Sequence, residues 1–260
     1  MFDRAIDLGR ARLLLTNDDG IQAKGLKLLE KIARSLCKDV WVVAPESEQS
    51  GASHSLTLHR PLRVRQVSKQ RFAVDGTPTD CVMIAINKLL SDNRPTLVLS
   101  GINAGGNLGE DVTYSGTIAA AMEATLLGVP AIAFSMNCTD RRRIRWPTAE
   151  KHTAAVIRRL VAQPWPRDTL INVNFPDMPP DEVNGITVAR QGRHKLSDQL
   201  TERKDPRGRS YYWIGPLRTK ESGAAGTDLA AIAEGRIAVT PISLDLTNTK
   251  ALGPLRRIFS

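Results

Sequence analysis

Two adjacent carboxylates, Asp18 and Asp19, directly follow a short apolar run and are well suited to bind a cation. The run, Arg12–Thr16, predicts a buried parallel strand, and open α/β sheets bind ligands beyond the carboxyl ends of such strands. Neighbouring carboxylates repel each other, and a hard cation such as Mg²⁺, Mn²⁺ or Ca²⁺ would relieve that repulsion. The alternative is an Asx turn at Asn17–Gly20 that caps the next helix, and taken alone this motif favours the turn.

Two more oxygen-rich loops follow predicted buried strands. The loop containing Ser50 follows the strand Val40–Pro45, and the loop containing Asn103 follows the strand Thr96–Ser100. Because parallel strands end at the same edge of a sheet, the Ser50 hydroxyl and an Asn103 carbonyl can join the two aspartates as four hard oxygen donors. No group of Cys or His has zinc-ligand spacing, so a closed zinc site is not expected.

A glycine-rich segment runs through Tyr114, Ser115, Gly116 and Thr117 into a predicted helix. The free N–H groups and hydroxyls of a helix start bind phosphate readily. The segment is not a Walker A loop, because Gly-Lys-Ser/Thr occurs nowhere in the chain. The alternative reading is that Ser115 or Thr117 is an ordinary N-cap.

The order of the elements predicts an α/β fold, a Rossmann-like, mostly parallel sheet with helices on both faces, followed by an irregular β-rich C-terminal extension. A hairpin is expected from alternating residues around Ser55–Leu58 and Leu62–Val67. The other predicted strands are Pro130–Ser135, Leu170–Phe175, Ile186–Ala189, Tyr211–Ile214 and Arg236–Thr240, and the helices are Lys24–Cys37, Pro78–Leu90, Tyr114–Gly128, Ala149–Val161 and Asp228–Glu234.

Composition and charge narrow the class of protein. With 260 residues and 42% hydrophobic content, the chain can form one large domain: an N-terminal extension (1–10), a catalytic core (11–180) and a C-terminal extension or oligomerisation arm (181–260). The net charge of +9 favours anionic partners. The basic run Arg141–Arg143 with Arg145 is more often a solvated face, although it can attract an anionic substrate. No signal peptide or membrane span is recognised, so a cytoplasmic protein is expected.

Taken together, the motifs resemble the SurE family of stationary-phase survival proteins, known as 5′/3′-nucleotidases. The matching segments run in order from about Arg12 to Thr240, and the ordered set is far more specific than any one segment. They are LLLTNDDGIQAKGL, VVAPESEQSGASHSLT, DGTPTDCV and LSGINAGGNLGEDVTYSGTIAAAMEA, with weaker matches at LINVNFP, YYWIG, GTDLAAIAEG and AVTPI.

The resemblance implies a phosphohydrolase that acts on nucleoside 5′- and 3′-monophosphates, and on short polyphosphate, by attack of a metal-activated water. It implies one divalent ion per subunit, Mg²⁺ or Mn²⁺, and a homodimer or homotetramer that exchanges C-terminal segments. No membrane partner and no stable nucleic-acid complex are expected. The residues carried over by motif are the metal ligands Asp18, Asp19, Ser50 and Asn103, the phosphate-binding Asn107, Ser115, Gly116 and Thr117, and the catalytic Asp18, Asp19 and Asn107.

Three rival functions remain open at the level of sequence. An aspartyl-phosphate mechanism with Asp18 as nucleophile is disfavoured, because the two carboxylates are adjacent and not separated by one residue. A nucleic-acid-binding protein would be expected to carry basic residues interleaved with aromatic ones, which the chain lacks. A non-catalytic, metal-dependent nucleotide-binding module would show metal-dependent melting without phosphate release.

Overall fold

The computed structural model describes residues 2, 4–193, 200–214 and 223–259 of the chain. Gly215, which ends the YYWIG segment, lies outside the described residues. So do residues 194–199, the rest of 215–222 and residue 260, all of which belong to the predicted C-terminal extension, and residues 1 and 3 of the N-terminal one.

A nine-stranded, mostly parallel sheet forms the centre of the molecule, with a separate two-stranded ribbon near the C-terminus. The strands are β1 (Arg12–Thr16), β2 (Asp39–Pro45), β3 (Val64–Ser68), β4 (Arg71–Val74), β5 (Leu97–Ala104), β6 (Ala131–Met136), β7 (Thr169–Phe175), β8 (Ile186–Val188), β9 (Leu200–Lys204), β10 (Ser210–Ile214) and β11 (Ile237–Ser243). The sheet order is β3-β4-β2-β1-β5-β6-β7-β11-β8, with β3 antiparallel to β4 and β11 antiparallel to β7.

Helices cover both faces of this sheet, and β1 contributes to both cores. Leu13 and Leu15 pack with α1 and α4 on one face, whereas Leu14 packs with α2 and α3 on the other, as the two-residue period of a strand requires. All three leucines are fully buried. The helices are α1 (Lys24–Leu36), α2 (Pro78–Ile84), α3 (Gly116–Leu126), α4 (Trp146–Val161), α5 (Asp228–Ala233) and α6 (Thr249–Ile258).

The predicted α/β fold is confirmed, but several local predictions were wrong. Residues 55–58 form no strand, because Thr57 donates to Asp80 through both its amide (3.1 Å) and its hydroxyl (2.6 Å) and so makes no ladder bonds there. The hairpin is instead β3–β4, with its turn near Gln70. Helix α2 ends earlier than predicted and continues as a π-helical turn, Ala85–Leu89. Strand β9 and helix α6 were not predicted.

The order in which strands are added to the sheet changes side at β1, which pairs in parallel with β2 on one side and with β5 on the other. In doubly wound sheets this switch point is where ligands bind, beyond the carboxyl ends of the strands. The loops after β1, β2 and β5 therefore emerge together at that edge. Within the described residues no helix is both long and apolar enough to cross a membrane.

Candidate metal and phosphate site

Asp18 lies just beyond the end of β1 and is almost completely buried, with 4% of its surface exposed. The Thr117 hydroxyl in the first turn of α3 donates to its Oδ1 at 2.5 Å. Burial raises the pKa of Asp18, because water no longer solvates the carboxylate; the Thr117 bond and the Arg141 charge lower that pKa and oppose the effect. A buried carboxylate oriented by a neutral donor is well placed to bind a cation.

Asp19 is the second carboxylate of the pair, and it faces the carboxyl end of β5. The Ala104 amide donates to its Oδ2 at 3.1 Å, and no donor to its Oδ1 is found among the described residues. Burial and the neighbouring Asp18 raise the pKa of Asp19 to about 6. This repulsion between carboxylates is what the sequence predicted for the pair, and a positive charge between them would lower both pKa values.

The loop that carries Ser50 is attached to both β1 and α3. Its Gln49 amide donates to the Asp18 carbonyl at 2.8 Å, and His54 Nε2 lies 2.9 Å from Glu123 Oε2 on α3. The Ser50 hydroxyl donates to Glu48 Oε1 at 2.8 Å, so its oxygen lone pairs remain available to a cation. The structure thus brings the Ser50 loop into contact with the Asp18 loop.

Asn103 lies near the end of β5 and is largely buried. Its Nδ2 donates to the Gly105 carbonyl at 2.9 Å. Because the amide nitrogen is held in this way, the side-chain Oδ1 is left as the acceptor that a ligand would use. The donor atoms offered by the four predicted ligands are therefore all oxygens.

Asn107 belongs to a buried asparagine network. Its Nδ2 donates to Ser135 Oγ at 2.8 Å, its amide donates to Asn174 Oδ1 at 2.8 Å, and its carbonyl accepts from Asn172 Nδ2 at 2.8 Å. One N–H of the Asn107 side chain is therefore already used, and a bond to phosphate would come from the other. The network fixes the glycine-rich loop rigidly against β6 and β7.

The start of α3 lies against Asp18. Ser115 is the N-cap, and its Oγ accepts from the Ile118 amide at 3.1 Å, as the N-cap alternative predicted. The Thr117 hydroxyl is used by Asp18, so the donors that this helix start retains for a phosphate are the Gly116 amide and the Ser115 O–H. Thr117 therefore contacts the predicted metal ligand, whereas its predicted phosphate role stays a prediction.

The residues present fit a divalent ion. The predicted donors are one buried and one half-buried carboxylate, a hydroxyl and an amide, the oxygen ligands that Mg²⁺ and Mn²⁺ prefer. Over the part of the chain that the structure describes, no group of three or more His, Cys, Asp or Glu is suited to a metal. The predicted set contains only two carboxylates and would take its other donors from Ser50 and Asn103.

Sequence reasoning missed the residues that hold the phosphate loop in place. Asp228, at the start of α5, is fully buried, and its carboxylate accepts from the amides of Gly109 (2.9 Å), Gly192 (2.7 Å) and Leu229 (2.8 Å). It thereby joins the glycine-rich loop to the C-terminal extension. The GTDLAAIAEG segment was matched but given no role, and only the spatial contact with Gly109 reveals one.

Comparisons with known proteins identify the family to which the chain is similar. A family model described as "Survival protein SurE" matches residues 13–198. The "5'-nucleotidase SurE" of Paramagnetospirillum magneticum is 54% identical over 258 residues, covering 99% of both chains. The protein of the same name from Rhodospirillum rubrum is 55% identical over 262 residues, covering 100% of both. Among solved structures, the "Sure Protein from Aquifex aeolicus" superposes with a TM-score of 0.84 at 40% identity, covering 96% of this chain and 100% of that one.

Proposed function

The chain belongs to the SurE family of survival proteins, and from this premise we propose that it is a divalent-metal-dependent 5′-nucleotidase, a phosphoric monoester hydrolase. The observation that carries the proposal is the contact between the buried carboxylate of Asp18, whose neighbour Asp19 is half-buried, and the start of α3. Asp18 accepts from Thr117, and the Gly116 and Ser115 donors lie in the same helix start. In this proposal the cation site and the anion site share one wall.

The chain's own residues would act in distinct ways during hydrolysis. The Gly116 amide, the Ser115 hydroxyl and the second N–H of Asn107 would stabilise negative charge on the phosphoryl oxygens. Asp18 and Asp19 would hold the divalent ion and orient the attacking water, and either could take its proton. When bound, the ion supplies Lewis-acid activation of water and of the phosphoryl group. Ser50 and Asn103 would complete its ligand set.

The test is phosphate release from 5′- and 3′-nucleoside monophosphates and from tripolyphosphate, in EDTA and with added Mg²⁺ or Mn²⁺. In Asp19→Asn we expect turnover to fall at least about 100-fold and metal affinity, measured by calorimetry, to weaken as strongly. Asp92→Asn is the matched control, because Asp92 is exposed and precedes β5, at the opposite edge of the sheet. Near-normal turnover by Asp19→Asn would refute the ligand assignment.

We also propose that residues 181–260 form an arm that associates with other subunits of a dimer or tetramer. The supporting observation is the ribbon β9–β10, whose large apolar side chains are exposed in the single chain. They include Leu200, Tyr211, Tyr212, Trp213 and Ile214. Light scattering of the wild type and of Trp213→Ser tests this, and a monomeric wild type would contradict it.

A further inference from the structure

A cleft of about 390 Å³ opens beside Asp19 and is lined by the start of α1 and by residues 141–144 and 146. Its wall contains four cationic side chains, Lys24, Arg141, Arg142 and Arg143, and Asp19 is its one acidic residue among those described. The rest of the lining is small or apolar: Ala23, Gly25, Ala104, Ile144 and Trp146. None of the residues at the start of α3 lines this cleft, so it is separate from the predicted site of the reacting phosphate.

The wall of the cleft carries an excess of positive charge, which favours the binding of an anion. The Arg142 side chain pairs with Asp140, two residues earlier: its Nε donates to Oδ1 at 3.1 Å and its Nη2 donates to Oδ2 at 3.2 Å. For Lys24, Arg141 and Arg143, no ion pair is found among the described residues. The four cationic side chains of the wall outnumber its single carboxylate, Asp19, so positive charges repel one another there and an anion between them would offset that repulsion.

Arg141 connects the cleft to the reaction centre. Its guanidinium lies over Gly105, with Nη2 3.4 Å from the position that a Cβ would occupy there, so the missing side chain is what lets it approach the glycine-rich loop. Its charge acts on both Asp18 and Asp19 and lowers the pKa of each. An anion held by Arg141 would therefore lie next to the carboxylate pair.

Resting on the proposed nucleotidase function, we propose that this cleft binds a second phosphate of the substrate, so that the enzyme prefers nucleoside 3′,5′-bisphosphates to the corresponding monophosphates. The two phosphates of such a nucleotide are one sugar apart. Asp18 contacts the start of α3 and Asp19 lines the cleft, so both anion sites adjoin the same pair of carboxylates. Guanidinium groups bind phosphate in a bidentate manner. A base would be expected to stack on an exposed aromatic face, and the cleft's only aromatic residue among those described, Trp146, is buried.

The test compares adenosine 3′,5′-bisphosphate with adenosine 5′-monophosphate, both in binding by calorimetry and in kcat/KM with saturating Mg²⁺. In the wild type we expect the bisphosphate to bind about tenfold more tightly, a difference that 300 mM salt should reduce. The double variant Arg141→Gln/Arg143→Gln should bring the two affinities within about twofold. The double variant Arg158→Gln/Arg159→Gln, which removes the same charge from the exposed last turn of α4, should keep the wild-type ratio.

The readouts separate the failure of this inference from the failure of the proposed function. Equal affinity of the wild type for both nucleotides, or an unchanged ratio in Arg141→Gln/Arg143→Gln, would overturn the second-phosphate site. Tighter binding of the bisphosphate without phosphate release from either nucleotide would refute the nucleotidase proposal while supporting the site. Melting temperatures of all variants establish that each is folded.

Discussion

Gly116→Ala adds one methyl group where the start of α3 meets Asp18. A Cβ at Gly116 would lie 2.7 Å from the Cβ of Asp18, 3.0 Å from its Oδ2 and 3.1 Å from Cγ of Pro78. The first contact is with an atom fixed to the backbone beyond β1, which cannot rotate away as the end of a long side chain can. The helix start and the Asp18 loop must therefore move apart.

The size of that movement sets the expected effect. Carbon atoms pack best at about 3.5–4.0 Å, so the contact with Asp18 is short by roughly 0.8 Å or more. A misplacement of about 1 Å can cost roughly 100-fold in rate. We therefore expect kcat/KM for a nucleoside monophosphate to fall by about 10- to 100-fold. Overpacking should also lower the free energy of unfolding by about 1–3 kcal/mol.

Gly253→Ala is the matched control for this substitution. Gly253 is exposed in α6, and its nearest atom to an added Cβ is Arg257 Nη1 at 3.8 Å. The same methyl group there should leave kcat/KM unchanged and stabilise the protein by up to about 1 kcal/mol. Steady-state kinetics and urea unfolding measure both variants. If Gly116→Ala kept kcat/KM within about twofold of the wild type, the close fit between α3 and Asp18 would not matter for catalysis.

Two further predictions concern pH and the phosphate loop. The raised pKa of Asp19, about 6 against 3.8, means that the native state without metal holds its proton more tightly than the unfolded chain. In EDTA, the free energy of unfolding should therefore decrease by roughly 3 kcal/mol at most as the pH rises from 3.8 to about 6. Thermal melts over this pH range should show a smaller decrease in Asp19→Asn. Asp228→Ala would leave the buried amides of Gly109 and Gly192 and the partly buried amide of Leu229 without their acceptor. Urea unfolding should therefore show a loss of about 3 kcal/mol or more in the free energy of unfolding, and a smaller loss in Asp228→Asn. Equal stability of the wild type and both variants would contradict this prediction.

The sequence by itself determined the α/β architecture and the loops that meet at the switch point. Buried parallel strands are continuous apolar runs such as Leu13–Leu15, so local composition is enough to recognise them. Asp18 and Asp19 stand out because two adjacent carboxylates at the end of such a run repel each other unless a cation binds between them. The ordered motifs add the family, which no single spacing could have identified.

Of the local predictions that failed, two concern residues 55–58 and α6, and the first failed because of a partner far away in the chain. Residues 55–58 alternate as a strand does, but Thr57 bonds to Asp80, 23 positions later. The exposed helix α6 contains Gly253 and Pro254, which oppose a helix prediction. Side-chain bonds to a distant residue overrode the local pattern at residues 55–58, whereas α6 has no buried residue that would explain it by packing.

Only the tertiary structure decided which atoms the side chains of the site contact. Thr117 bonds to Asp18, 99 positions away, and Asp228 holds Gly109 across 119 positions. The guanidinium of Arg141 lies over Gly105, whereas the sequence left open whether that arginine run is a solvated face or attracts an anionic substrate. Such contacts depend on the direction of each side chain after the sheet and helices have packed. Sequence periodicity specifies which face a residue occupies, but not which atom on a neighbouring element it reaches.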